Sequence, residues 1–129
     1  MARTAAGRDH QARTSFDTAS TGTGVYASAR FIGVSESATA PADADTAMAV
    51  ELTLSGFGRA TAVYAHTLGA TTTTLTITMT SSDATTRTLR QLGIFNAVTA
   101  GTLAYHTSIP SPPTLVSGDA VTFTSTISM

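Results

Sequence analysis

The chain has 129 residues, with no cysteine, lysine or tryptophan, and 12% of it is charged, about half the share of an ordinary soluble domain. Its length sets a single domain, and the lack of Cys excludes a disulfide framework, thiol redox chemistry and a thiolate metal site. The net charge of −1 divides unevenly: residues 1–30 hold four Arg against two Asp, and the remainder holds three Arg against six acidic residues.

Residues 1–24 hold one aromatic, Phe16, among small, polar and Arg residues, and end in a Ser/Thr/Gly run. Such a segment buries too little apolar surface to offset its own ordering entropy. It is expected to be a flexible arm before a β domain over 25–129, with Arg3, Arg8, Arg13 and Phe16 as its candidate partner-binding residues. No apolar run of seven or more residues opens the chain, so no secretory signal is expected.

From residue 29 onward the signal is that of strands. Candidates are 29–34 (ARFIGV), 50–54, 59–66 (RATAVYAH), 73–80, 88–95 (TLRQLGIF), 102–107 (TLAYHT) and the last segment from Val121. In 73–80 Leu75, Ile77 and Met79 alternate with Thr. In the last segment Val121, Phe123 and Ile127 alternate with Thr122, Thr124 and Thr126. Period-2 alternation marks a strand with one buried face, and β-branched Thr favours the pleated sheet. Residues 43–51 are the one candidate helical turn, capped by Asp43 or Asp45. Gly56, Gly58, Gly69, the SSDA and SIPSPP runs and Ser117-Gly118-Asp119 are the breakers. Six or seven short strands between such turns predict an all-β fold, an antiparallel sandwich, jelly roll or barrel with an extended N-terminal arm. The stretch 60–82 is uncharged and long enough to span a bilayer, but nine Thr, two Ser and a His argue against a membrane.

Catalytic templates fail on residue supply. There is no Gly-x-Ser-x-Gly elbow, no His-Glu-x-x-His and no phosphate-binding loop. His66 and His106 each close an expected strand. With a carboxylate they are a candidate metal set or a protonation-sensitive point of assembly, against the plainer reading of rim histidines with hydrogen-bonded rings. Asp43, Asp45 and Glu51 lack the spacing of a calcium loop. Glu36 and Glu51, the only glutamates, have no tryptophan beside them to form a sugar platform. Gly22, Gly24 and Ala27 match a dinucleotide fingerprint by letter, without the strand before or helix after that it needs. The acidic body argues against nucleic acid. The expectation is a protein that is not an enzyme, with no cofactor and no metal.

One ordered set of motifs spans nearly the whole chain: Gly7-Arg8-Asp9, Phe31-Ile32-Gly33-Val34, the loop Ala38 to Thr46, Gly56-Phe57-Gly58-Arg59-Ala60, Tyr64-Ala65-His66-Thr67, Gly93-Ile94-Phe95-Asn96-Ala97, Gly101-Thr102-Leu103 and Leu115-Val116-Ser117-Gly118-Asp119. In this order they resemble small structural proteins of tailed bacteriophages. The resemblance implies a virion structural protein, made in the host bacterial cytoplasm. Its leading form is a decoration or cement protein on the outside of the head, bound to the major capsid protein through the β domain and arm, as a homo-oligomer and by analogy a trimer. The alternatives are a tail or fibre component, or a carbohydrate- or receptor-binding module of the virion.

Overall fold

A computed structural model describes residues 28–128 together with Thr4, Ala6, Ala12, Ser15 and Phe16. Arg3, Arg8 and Arg13, and the Gly22/Gly24/Ala27 match, lie outside the described residues. The fold is all-β and sandwich-like, with antiparallel pairing throughout and no closed barrel.

The first sheet is built around β1 (Phe31–Ser35). On one side its two halves pair with β2 (Glu51–Leu52) and β3 (Ala60–Thr61), and on the other it pairs with β7 (Gln91–Phe95), which in turn pairs with β8 (Leu103–Ser108). The second sheet has the order β10-β5-β4, from β4 (Val63–Ala65), β5 (Thr72–Thr80) and β10 (Ala120–Ser128). A two-stranded ladder of β6 (Arg87–Thr88) and β9 (Thr114–Leu115) completes the set. The core lies between the two larger sheets: Ile32, Val34, Leu92 and Ile94 of the first meet Leu75, Ile77, Met79 and Ile127 of the second, with Phe57, Leu89 and Leu115 filling in.

The alternating Thr strands form as expected. All nine residues of β5 pair with all nine of β10 without a register shift, because one face of each is apolar and a one-residue slip would turn that face to water. Two expected strands are each divided. In 59–66, β3 belongs to the first sheet and β4 to the second; between them Ala62 is buried and donates its N–H to the Arg30 carbonyl at 2.8 Å. In 88–95 the chain leaves the β6–β9 ladder at Leu89, which is fully buried with its N–H on the Pro113 carbonyl, and joins the first sheet at Gln91. Residues 43–50 form turns and bends with no helix. Here Asp45 bonds back to Ala42 through both its N–H and its carboxylate, which closes a tight turn that cannot extend helically.

Phe16 is 2% exposed, and its ring centroid lies 5.9 Å from that of Tyr105 on β8. Next to it the Ser15 carbonyl accepts the Ala29 N–H at 2.6 Å. As placed, this ring is used inside the chain.

Candidate functional site

The two sheets carry different outer layers. On the first sheet, Gly33 and Gly93 stand directly opposite each other across β1 and β7. A Cβ on Gly33 would meet Glu51, Arg59 and Phe95 at 3.0–3.3 Å, and one on Gly93 would meet Met48, Leu103 and Phe95 at 2.8–3.0 Å. The missing side chains make a trough in which the Phe95 ring lies, under the Arg59 guanidinium at 3.4 Å from the ring centroid. Arg59 also grips both oxygens of Glu51, at 2.5 and 2.9 Å, and donates to the Ala97 and Ala100 carbonyls of the β7–β8 loop. The motifs FIGV, GFGRA and GIFNA therefore converge on one clasp. The loop before β2 covers the rest of this face: Met48 is buried, Ser35 donates its hydroxyl to the Ala49 carbonyl, and Gln91 donates to the Thr39 carbonyl.

His106 belongs to the same layer. Its Nδ1 lies 2.9 Å from Asp45 Oδ2 and its Nε2 2.8 Å from Gln91 Oε1. Both nitrogens face oxygen acceptors, so the two hydrogen bonds are complete together only when both carry a proton. The Ala42 N–H, and after it the His106 ring, hold the Asp45 carboxyl below its ordinary value. His66 is on the other sheet, where Nδ1 lies 3.0 Å from both the Thr72 carbonyl and the Thr73 hydroxyl. The structure does not bring the two histidines to one carboxylate. Glu36 is held by Arg87 and the Thr88 N–H, and Glu51 by Arg59, so the two glutamates do not share a cleft open to a sugar. Among the described residues, no three His, Asp or Glu side chains form a metal-holding group.

Most charged side chains among the described residues are thus engaged within the chain. Besides the pairs above, Arg87 bonds Asp83 at 2.8 Å, Arg90 reaches the Glu36 carbonyl, Arg30 lies over the Phe31 ring, and Asp119 accepts the Val116 N–H. The Thr85 N–H, then Arg87, lower the Asp83 pKa, and Asp83, then Glu36, raise that of Arg87.

The outer face of the second sheet has none of this. Its strands β4, β5 and β10 carry no charged residue. Residues in register across them share the face: Thr126, Thr74 and Ala65; Thr124, Thr76 and Val63; Thr122 and Thr78. Hydroxyls meet across the strands at 2.7 Å for Thr78 and Thr122 and 3.3 Å for Thr76 and Thr124, and Val63 beside them is 70% exposed. Where the two sheets part, a groove of about 410 Å³ opens between β8 and β10, lined by Leu92, Ile94, Tyr105, Ile109, Phe123 and Ile127 among others. An uncharged hydroxyl face bordered by an apolar groove is a surface suited to protein neighbours, since joining it to a partner strips no ion of its water.

This is an all-β domain with a clasped face and an open one. A family model described as "Podophage GP4 fiber I protein gp80" matches residues 8–127, and the chain belongs to that family. It is a bacteriophage structural protein, a component of the virion. No curated protein and no solved structure gives a significant match.

The hydroxyl face was legible as alternation in the sequence. The Arg59–Phe95 clasp was missed as a site, although each of its motifs stood out singly.

Proposed function

We propose that this protein is a fibre subunit of a podophage-type virion, acting by assembly and not by catalysis. The observation that carries the reading is the family match over residues 8–127, whose description is that of a fibre protein. The charge-free face of β4, β5 and β10 supports it, because repeated subunit contacts need a surface that costs little to desolvate. In support of a non-catalytic role, both ring nitrogens of His106 are occupied by Asp45 and Gln91, so neither faces a position open to a substrate hydroxyl. Placement on the head as a decoration protein, bound to the major capsid protein, is the competing position.

Cryo-electron microscopy of the virion separates the two. The fibre reading expects density for the 13.1 kDa chain in appendages attached to the tail or its collar. Density repeated over the head shell and missing from the appendages overturns it in favour of decoration.

A further inference from the structure

The hydrogen bonds around His106 have their direction fixed from outside the ring. Gln91, which is 3% exposed, donates its side-chain amide to the Thr39 carbonyl. A carbonyl only accepts, so the Gln91 NH₂ is committed to Thr39 and its oxygen to His106 Nε2, 2.8 Å away. A flipped amide would set oxygen against oxygen at Thr39. On the other side of the ring, Nδ1 lies 2.9 Å from Asp45 Oδ2, and Asp45 is held ionised by the Ala42 N–H and then by His106 itself. With Asp45 ionised, an imidazolium satisfies every contact in the chain Asp45, His106, Gln91, Thr39, and neither neutral tautomer does.

This relay ties a loop to a sheet. Between Ser37 and Met48, two hydrogen bonds join the loop to the first sheet among the described residues, from the Thr39 carbonyl to Gln91 and from Asp45 to His106. Its other bonds, from the Thr39 N–H to Ser37 and between Ala42 and Asp45, stay within the segment. We infer that the relay is a pH latch, which holds residues 38–46 on the first sheet while the His106 ring is doubly protonated and releases them when the ring gives up a proton. The Asp45 carboxylate keeps the proton on Nδ1, so Nε2 is the nitrogen that empties, and its lone pair then faces the Gln91 oxygen. Gln91 cannot turn without losing Thr39, and unsatisfied polar groups at a buried site are costly. Strands β7 and β8 are fixed by their ladder, so the separation falls on the loop.

The surroundings leave the proton a path to water and few other charges to act on it. The His106 side chain is 8% exposed, yet it borders an open cleft of about 400 Å³ that it shares with Pro41, Ala42, Asp43, Asp45 and Tyr105. The loop therefore presents two carboxylates, Asp45 in contact and Asp43 across the cleft, and β8 itself presents Tyr105. β7 presents the neutral Gln91. β10, which lines the apolar groove on the other side of His106 with Phe123 to Ile127, presents no titratable group. Because the charged ring favours the closed loop, closure is complete at lower pH and is lost as pH rises through the interval in which histidine changes charge, about pH 5 to 8. This inference does not rest on the fibre reading and holds equally for a head protein.

Nuclear magnetic resonance of the full-length wild-type protein tests the latch without any substitution. Ring ¹⁵N shifts are expected to show His106 doubly protonated at the acid end of the range. As it loses a proton, the Gln91 side-chain amide is expected to lose about tenfold of its protection from exchange, corrected for the intrinsic effect of pH, while the backbone amides of β5 keep theirs. His106→Gln is expected to abolish this pH dependence and His66→Gln to leave it in place. Asp45→Asn removes the carboxylate that favours the charged ring and is expected to move the transition to lower pH, a shift that a purely structural role for Asp45 would not produce. A singly protonated His106 throughout the range, Gln91 protection that stays level while the ring titrates, or a transition that survives His106→Gln overturns the proposal; a transition lost in His66→Gln instead assigns it to the other sheet. Should His106→Gln fail to fold, the wild-type ring and Gln91 measurements decide alone.

Discussion

Arg59 lies stacked on Phe95, with its guanidinium carbon 3.4 Å from the ring centroid, while its fork closes on Glu51. The Arg59 and Glu51 side chains are 10% and 14% exposed. Arg59→Ala removes the stack and the bonds to the β7–β8 loop, and leaves a nearly buried carboxylate unpaired. We expect a loss of about 3 kcal/mol, read as a lower urea midpoint with unchanged slope. Arg59→Lys restores the charge without the planar fork and recovers less than half of it. Wild-type stability in Arg59→Ala would contradict the clasp.

The trough beneath that stack depends on two missing side chains. Gly93→Ala places a methyl 2.8 Å from Met48 Sδ, and because Met is flexible the cost is expected at about 1–3 kcal/mol. Gly56→Ala is expected to be worse. Gly56 has φ +89°, and its Cβ would sit 1.9 Å from the Thr80 carbonyl oxygen, a backbone atom held next to the β5–β10 ladder. Soluble yield is the readout: Gly93→Ala folds with a lowered melting temperature, and Gly56→Ala fails to accumulate.

Phe16 lies far from the strands in sequence, yet it is as buried as the core residues around it. Phe16→Ala is expected to cost about 3–4 kcal/mol. Hydrogen exchange localises the effect, because the Ala29 amide bonded to the Ser15 carbonyl then exchanges faster than the amides of β5. Equal protection of Ala29 in the variant and wild type would show that the N-terminal contact is not held by this ring.

Asp45 and Asp83 both ionise below their ordinary value of 3.8, the first through the Ala42 N–H and His106, the second through the Thr85 N–H and Arg87. A carboxyl whose folded pKa is depressed contributes stability that is full above its unfolded pKa and declines as pH falls through the folded one. Stability is therefore expected to drop on acidification from about pH 4 downward. Asp45→Asn and Asp83→Asn each flatten that acid limb. An acid limb unchanged in the double variant would assign the loss to other carboxylates.

Local pattern revealed those parts of the fold in which local chemistry decides. Strands β5 and β10 each have one wet and one dry face, so alternation exposes both strand and register. β7 is buried on both faces over Gln91–Phe95, and its apolar run locates it without orienting it. Where the chain changes partners, at Ala62 and at Leu89, apolar and polar residues continue without a break signal, because the event is a change of neighbour and not of backbone preference. The clasp was hidden for the same reason. Gly33, Arg59 and Phe95 belong to three motifs far apart in sequence, and only the Gly33–Gly93 register brings them together.

The hydroxyl face of β4, β5 and β10 has a kinetic consequence. With no fixed charge on that face, copies meeting through it would not be electrostatically steered, and their association would fall in the unsteered range of roughly 10⁵–10⁶ M⁻¹s⁻¹. The same surface has little for counter-ions to screen. A contact made there keeps nearly the same strength in dilute fresh water and in the crowded, salty interior of a cell, so a particle joined this way carries its cohesion unchanged between the place where it is built and the place where it is used.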